Sequence, residues 1–180
     1  RSKRPLAIHQ VTNHHTMTLG ILKESDGEQR VAVTPDAVSA LLKLGIEKVL
    51  VEHDAGAAAF FNDASYESQG AKITDRESVL KQSQILVKIH ALSADGAGKL
   101  SSGQIIIGQM NPLAQREVVS DLLKSNATAF SLDMAPRTTR AQALDVLSSM
   151  ATVGGYKAVL TAATQLPTFF PMFMTAAGTI

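Results

Sequence analysis

The sequence contains no cysteine. That excludes disulfides and thiolate metal sites and leaves the redox compartment open. No apolar run approaches the roughly 18 residues that a helix needs to cross a bilayer. An excess of one charge is lacking too: 17 Lys and Arg against 16 Asp and Glu leave a net charge of +1. These charges are scattered without a basic patch, so no nucleic-acid partner is expected. Gly-x-Ser-x-Gly does not occur, which removes support for a hydrolase elbow. Gly96-Ala97-Gly98-Lys99 is not a dinucleotide fingerprint, because Ser101 stands where another glycine belongs. Nor does it end a P-loop, because Ser93 stands where that loop starts with glycine. It reads as a flexible turn. The histidines are His9, His14, His15, His53 and His90, none with a helical partner at metal-ligand spacing. No metal is expected. Internal repeats and low-complexity tracts are also missing.

What is there suits one good core with part of a second domain attached: 180 residues, 45% of them hydrophobic. Short apolar runs at residues 18–22, 49–51, 85–89, 105–108 and 127–132 read as strands. Lys72-Ile73 adds a minor one. Between them lie helical patterns after Thr34-Pro35, around Tyr66, over residues 75–82 and over residues 113–124. This alternation predicts an α/β fold, a doubly wound and mostly parallel sheet in three layers, flavodoxin-like or Rossmann-like. Arg30 and Lys88 flank apolar strands. Each suits anion binding at the sheet's carboxyl edge, or simply marks where a strand meets water. His90 follows a strand end, where functional residues of open α/β sheets gather.

The most distinctive stretch is residues 136–156. Thr139 and Gln142 have capping-box spacing, which predicts a helix start there. Gln142, Asp145, Ser148, Ser149 and Thr152 then share one face, and Leu144, Leu147 and Ala151 share another that would pack on a core. Arg137 lies just ahead, at the positive end of the helix dipole. Such a stripe has the donors and acceptors to bind an anionic, hydroxyl-rich ligand, and a solvated face has the same spacing. Gly154-Gly155 is expected to kink this helix or admit a close backbone approach.

Several blocks resemble one known family. Gly20-Ile21-Leu22-Lys23-Glu24 and Arg30-Val31-Ala32-Val33-Thr34-Pro35 resemble the N-terminal signature shared by alanine dehydrogenases and the α subunit of NAD(P) transhydrogenase. Val51-Glu52, Asp54-Ala55-Gly56-Ala57 and Phe60 resemble its next segment. Pro136-Arg137, Arg140-Ala141-Gln142, Asp145-Val146-Leu147-Ser148-Ser149-Met150 and Gly155-Tyr156-Lys157-Ala158-Val159 are similar to the transhydrogenase branch in particular. Alanine dehydrogenases use a lysine and a histidine on their amino or keto acid. The matching positions here are His90 and Asn111, and asparagine is no general base near neutral pH.

The resemblance implies part of the NAD(H)-binding component of a proton-translocating transhydrogenase, passing hydride from NADH to NADP+. The alternatives are an alanine-dehydrogenase-like amino-acid dehydrogenase and a non-catalytic dimerisation module. Gln142 and Asp145 are implied as catalytic, and Arg137, Gln142, Asp145 and Ser148 as cofactor-binding. Gln142 would face the NADP(H) ring and ribose, Asp145 and Ser148 the NAD(H) ribose or carboxamide, and Arg137 the carboxamide or phosphate side. The implied partners are a second copy, forming a homodimer, and NADP-binding and membrane-spanning components. The implied location is a soluble domain peripheral to a membrane complex, on a bacterial cytoplasmic face or the mitochondrial matrix side. The expected organisation is an extension or processed leader over 1–16 and an α/β domain over 17–139. An interdomain helix over 140–166 and a linker over 167–180 follow, leading into a dinucleotide-binding domain missing from the sequence. NAD(H) would be held mainly by that domain.

Overall fold

The computed structural model describes residues 17–25, 27–170, 172 and 174–179. The predicted extension, with His9, His14 and His15, lies outside them. The first strand, β1 (Thr18–Ile21), is buried along its whole length, as a central parallel strand flanked on both faces should be. Helix α1 (Pro35–Lys43) starts with proline in its first turn and leads to β2 (Lys48–Glu52), whose middle three residues are buried. Next come α2 (Asp63–Ser68), β3 (Lys72–Thr74), α3 (Arg76–Gln82) and β4 (Ile85–His90). Asn62 and Asp75 cap α2 and α3, each accepting at 2.9 Å from a backbone N–H three residues on. Then α4 (Ala94–Gly98), β5 (Ile105–Gln109), α5 (Arg116–Ser125) and β6 (Thr128–Ser131) follow. The Gly96-Ala97-Gly98 segment is thus a short helix rather than the expected turn. The Ser93 hydroxyl accepts from the Gly96 N–H and starts it.

The sheet order is β3-β2-β1-β4-β5-β6, with β1–β2, β2–β3, β1–β4 and β4–β5 paired in parallel. This is the Rossmann order, which decides between the two predicted variants of the doubly wound fold. Strand alternation sends Leu19, Ile21, Val49 and Val51 into one core with Val38 and Tyr66. Leu50, Leu86 and Ile106 enter the other, with Val79, Leu80 and Leu122. The Tyr66 hydroxyl donates to the Val33 carbonyl at 2.8 Å, tying α2 to the loop before α1.

The chain separates into two units, one up to Phe130 and one from Ser131 on. In the second, 3-10 turns over Leu132–Met134 and Thr139–Leu144 precede α6 (Val146–Gln165) and a small antiparallel pair, β7 (Met174–Thr175) and β8 (Gly178–Thr179). Helix α6 runs unbroken through Gly154-Gly155, and a Cβ on either would meet nothing within 4 Å. The expected interruption is absent because the helical hydrogen bonds need only the backbone.

Phe60 is held at φ 65° and is 98% exposed. The other described non-glycine residues of positive φ are Asp54, Asn111 and Asn126, types that tolerate this region. The left-handed conformation costs a bulky residue about 1–2 kcal/mol, and glycine brings back about 0.5–1 kcal/mol of backbone entropy. Phe60→Gly is therefore expected to stabilise the fold by about 0.5–1 kcal/mol, seen as a raised urea midpoint. A lowered midpoint would mean that the ring is held by packing.

Candidate functional site

In a doubly wound sheet the strand order reverses between β1 and β4, and ligands enter at the carboxyl ends beside that reversal. Here the loop after β1 fills this crevice with its own charges. The Glu24 carboxylate accepts from Lys88 Nζ at 2.6 Å, from the Ile89 N–H at 2.6 Å and from the His90 N–H at 3.3 Å. Both side chains of the ion pair are 2% exposed. The β4–β5 pairing is irregular between Val87 and His90, and Glu24 takes up two backbone donors of that irregular stretch.

One layer out, Arg30 grips Glu28 with Nε at 2.8 Å and Nη2 at 2.6 Å, and its own N–H adds a third bond at 2.9 Å. His90 Nε2 approaches the same carboxylate at 2.8 Å. A shallow pocket of about 190 Å³ opens here, lined by Lys23, Glu24, Glu28, Arg30, Asp54 and Ala58 among others. Three of those six are carboxylates, which oppose a bound anion. The crevice does not fit a pyrophosphate.

Neither Arg30 nor Lys88 is therefore a free anion site, and Lys88 is buried, whereas Arg30 still meets water with its side chain 39% exposed. Arg30 is engaged by Glu28 two residues before it, and Lys88 by Glu24, which periodicity did not single out because nothing local links positions 64 apart. The Arg30 guanidinium, with its N–H and His90 adding, holds Glu28 well below its ordinary value of 4.5, against the opposing push of burial. A carboxyl lowered on folding stabilises fully above its unfolded value and loses that contribution as pH falls. Below about pH 4.5 the parent should lose stability more steeply than Glu28→Gln, as followed by urea midpoints. Parallel curves would refute the linkage. His53 approaches Asp63 at 3.3 Å, a partly exposed contact. Among the described residues no group of three or more His, Asp or Glu could hold a metal ion.

The predicted residues Arg137, Gln142, Asp145 and Ser148 all lie in the second unit. Their expected common helix is not formed. Thr139–Leu144 is a 3-10 turn without a side-chain cap, and α6 starts at Val146 with Asp145 as its N-cap. The Asp145 carboxylate accepts from the Ser148 N–H at 2.9 Å and from Ser148 Oγ at 2.6 Å. Those bonds, with the charge of Arg137 a smaller cause, lower its pKa. Gln142 is consequently off the face of α6 that carries Ser148. Leu144 and Leu147 are 55% and 37% exposed, so the face expected to pack on a core is open in this chain. Arg137 and Gln142 are exposed, and no hydrogen bond from the described residues engages either side chain.

A match to the family described as "Alanine dehydrogenase/PNT, N-terminal domain" runs over residues 20–154, three quarters of the chain and all four of these residues. The chain belongs to this family. Within it, the chain is 38% identical over 165 residues to the NAD(P) transhydrogenase subunit alpha of Haemophilus influenzae, covering 91% of this chain and 32% of that one. A crystal structure of transhydrogenase from Sinorhizobium meliloti superposes with a TM-score of 0.83 at 38% identity, over 91% of this chain and 49% of that one. An L-alanine dehydrogenase structure matches with a TM-score of 0.75 at 25% identity, over 82% of this chain and 40% of that one. The chain thus spans about a third to a half of the length of these relatives.

Proposed function

We propose that this chain supplies part of the NAD(H)-binding component of a proton-translocating NAD(P) transhydrogenase, in which hydride passes directly from NADH to NADP+. What carries the reading is the open guanidinium and amide of Arg137 and Gln142, in a segment within the family match, together with the greater likeness to transhydrogenases than to alanine dehydrogenase. The nicotinamide rings supply the hydride chemistry when bound. This chain's task is orientation, since a direct transfer between rings needs no protein base. Gln142 faces the NADP(H) ring and ribose, and Arg137 the carboxamide or phosphate side of NAD(H). Asp145 and Ser148 belong to the same constellation.

The carboxylate-filled crevice supports assigning most of the NAD(H) contacts to a dinucleotide-binding domain beyond these residues, as in the expected organisation. NADP(H) sits on a partner component. The remaining partners are a second copy and membrane-spanning components, with this unit at the membrane's aqueous face. Among the described residues no helix is long and apolar enough to cross a membrane.

The test uses the full-length protein with its partner components. It should reduce NADP+ with NADH and show no NADH formation from alanine and NAD+. Turnover of alanine would refute the proposal in favour of the dehydrogenase reading. Gln142→Asn, which shortens the amide by one methylene, is expected to slow hydride transfer by about tenfold or more, equivalent to about 1.4 kcal/mol in the barrier. An unchanged rate would favour a non-catalytic module.

A further inference from the structure

Phe60 and Phe61 are neighbours that the fold sends opposite ways. Phe61 packs against the core of Val38 and Tyr66, whereas the Phe60 ring is 98% exposed. Hydrogen bonds fix that arrangement. The N–H groups of Ala59 and Phe61 both donate to the Gly56 carbonyl, at 2.9 and 3.0 Å, and the Phe60 N–H donates to the Ala57 carbonyl at 3.1 Å. Gly56 is seated on Tyr66, whose ring would stand 2.8 Å from a Cβ placed there. The Asp54 N–H is tied to the Asp63 carboxylate at 3.0 Å. The turn is thus fastened to the core while Phe60, which ends it, is held in the left-handed region. Backbone strain in a bulky residue gathers at clamps and switches, where a contact made elsewhere offsets it.

The turn follows β2, whose parallel pairing with β1 puts it at the carboxyl edge of the sheet. Ala55 and Ala58 line the crevice pocket there, and Phe60 stands two residues beyond Ala58. Residues 55–61 carry no charged side chain, and Ala57 and Ala58 are exposed beside the ring, so the surface suits an apolar partner. Ligand crevices at such an edge lie preferentially between domains. This chain spans about a third to a half of the length of its relatives, so most of the polypeptide lies outside it. A domain that holds a ligand over this crevice must close on its rim, which is where Phe60 is presented. We propose that Phe60 docks into an apolar recess of the dinucleotide-binding domain of the same polypeptide and holds that domain over the crevice. The inference rests on the proposed function for the existence of that domain. Burial of the ring there offsets the strain that this chain shows only as a cost.

The experiment uses the full-length protein without its partner components. Phe60→Cys is labelled with a soluble maleimide in parallel with Glu67→Cys, an exposed position on α2 of the same unit. Modification is read by mass on the peptide that carries each thiol. The thiol at position 60 should react at least about tenfold more slowly than that at position 67, because labelling must wait for the domains to part. The ratio should hold on dilution. A benzophenone maleimide carried by the thiol at position 60 should couple within one polypeptide, to the dinucleotide-binding domain. Equal labelling rates overturn the proposal. So does protection that is lost on dilution or coupling to a second copy, either of which would assign the ring to contact between copies. Protection that arises only when the NADP-binding component is added overturns it as well. Calorimetry with NADH on the parent keeps the two readings apart. Absence of binding would defeat the NAD(H) reading, whereas binding together with equal labelling rates defeats the docking alone.

Discussion

Glu24→Ala is expected to destabilise the fold by about 3–5 kcal/mol, the range for breaking a buried ion pair by removing one partner. The loss has two parts. Lys88 would keep a charge at 2% exposure with no carboxylate beside it. The N–H groups of Ile89 and His90, both now accepted by Glu24, would lose that acceptor at the sheet's edge. Urea unfolding measures the sum, as a lowered midpoint with an unchanged slope. Removing the stranded charge should recover much of it, so Glu24→Leu combined with Lys88→Met is expected to be far less damaging than Glu24→Ala. A loss below about 1 kcal/mol would mean that the pair behaves as a surface salt bridge.

Gly108→Ala is expected to destabilise by about 2–3 kcal/mol, the usual scale for overpacking against atoms that cannot yield. A Cβ at this position would press into the carbonyl oxygen of Lys88, and would stand 3.3 Å from that of Ile89. Both obstacles are backbone, in the irregular part of β4 that Glu24 supports. Gly20 contrasts with it. A Cβ there meets the buried side chains of Ser83, Val79 and Leu86 rather than backbone. Because Gly108 and Glu24 act on one stretch of β4, their effects should fail to add, with a coupling above about 0.5 kcal/mol in a double-mutant cycle. Strict additivity would show that the alanine is absorbed without moving β4.

Both effects belong to a site only half visible in the sequence. Arg30, Lys88 and His90 stood out because charges beside apolar strands are conspicuous. Glu24 and Glu28 did not, since a glutamate in a polar loop is unremarkable until the topology brings β4 beside β1. The arm at residues 137–148 was legible as a group and misread in its geometry. Two helix starts lie within seven residues of each other, Thr139 with Gln142 and Asp145 with Ser148, and propensity does not rank them. The twofold grip of Ser148 on the Asp145 carboxylate favours the later start.

The sequence by itself determined the class of fold, because short apolar runs between amphipathic stretches have few other ways to bury themselves. It also determined the family, since the motifs that carry the resemblance are contiguous strings of residues. Tertiary structure alone decided the strand order, and with it which loops meet at the reversal between β1 and β4. It decided that Glu24 lies on Lys88 in the crevice there, because pairing across 64 residues leaves no local trace. It also decided where α6 begins, because rival caps a few tenths of a kcal/mol apart are separated by the bonds each one makes in place.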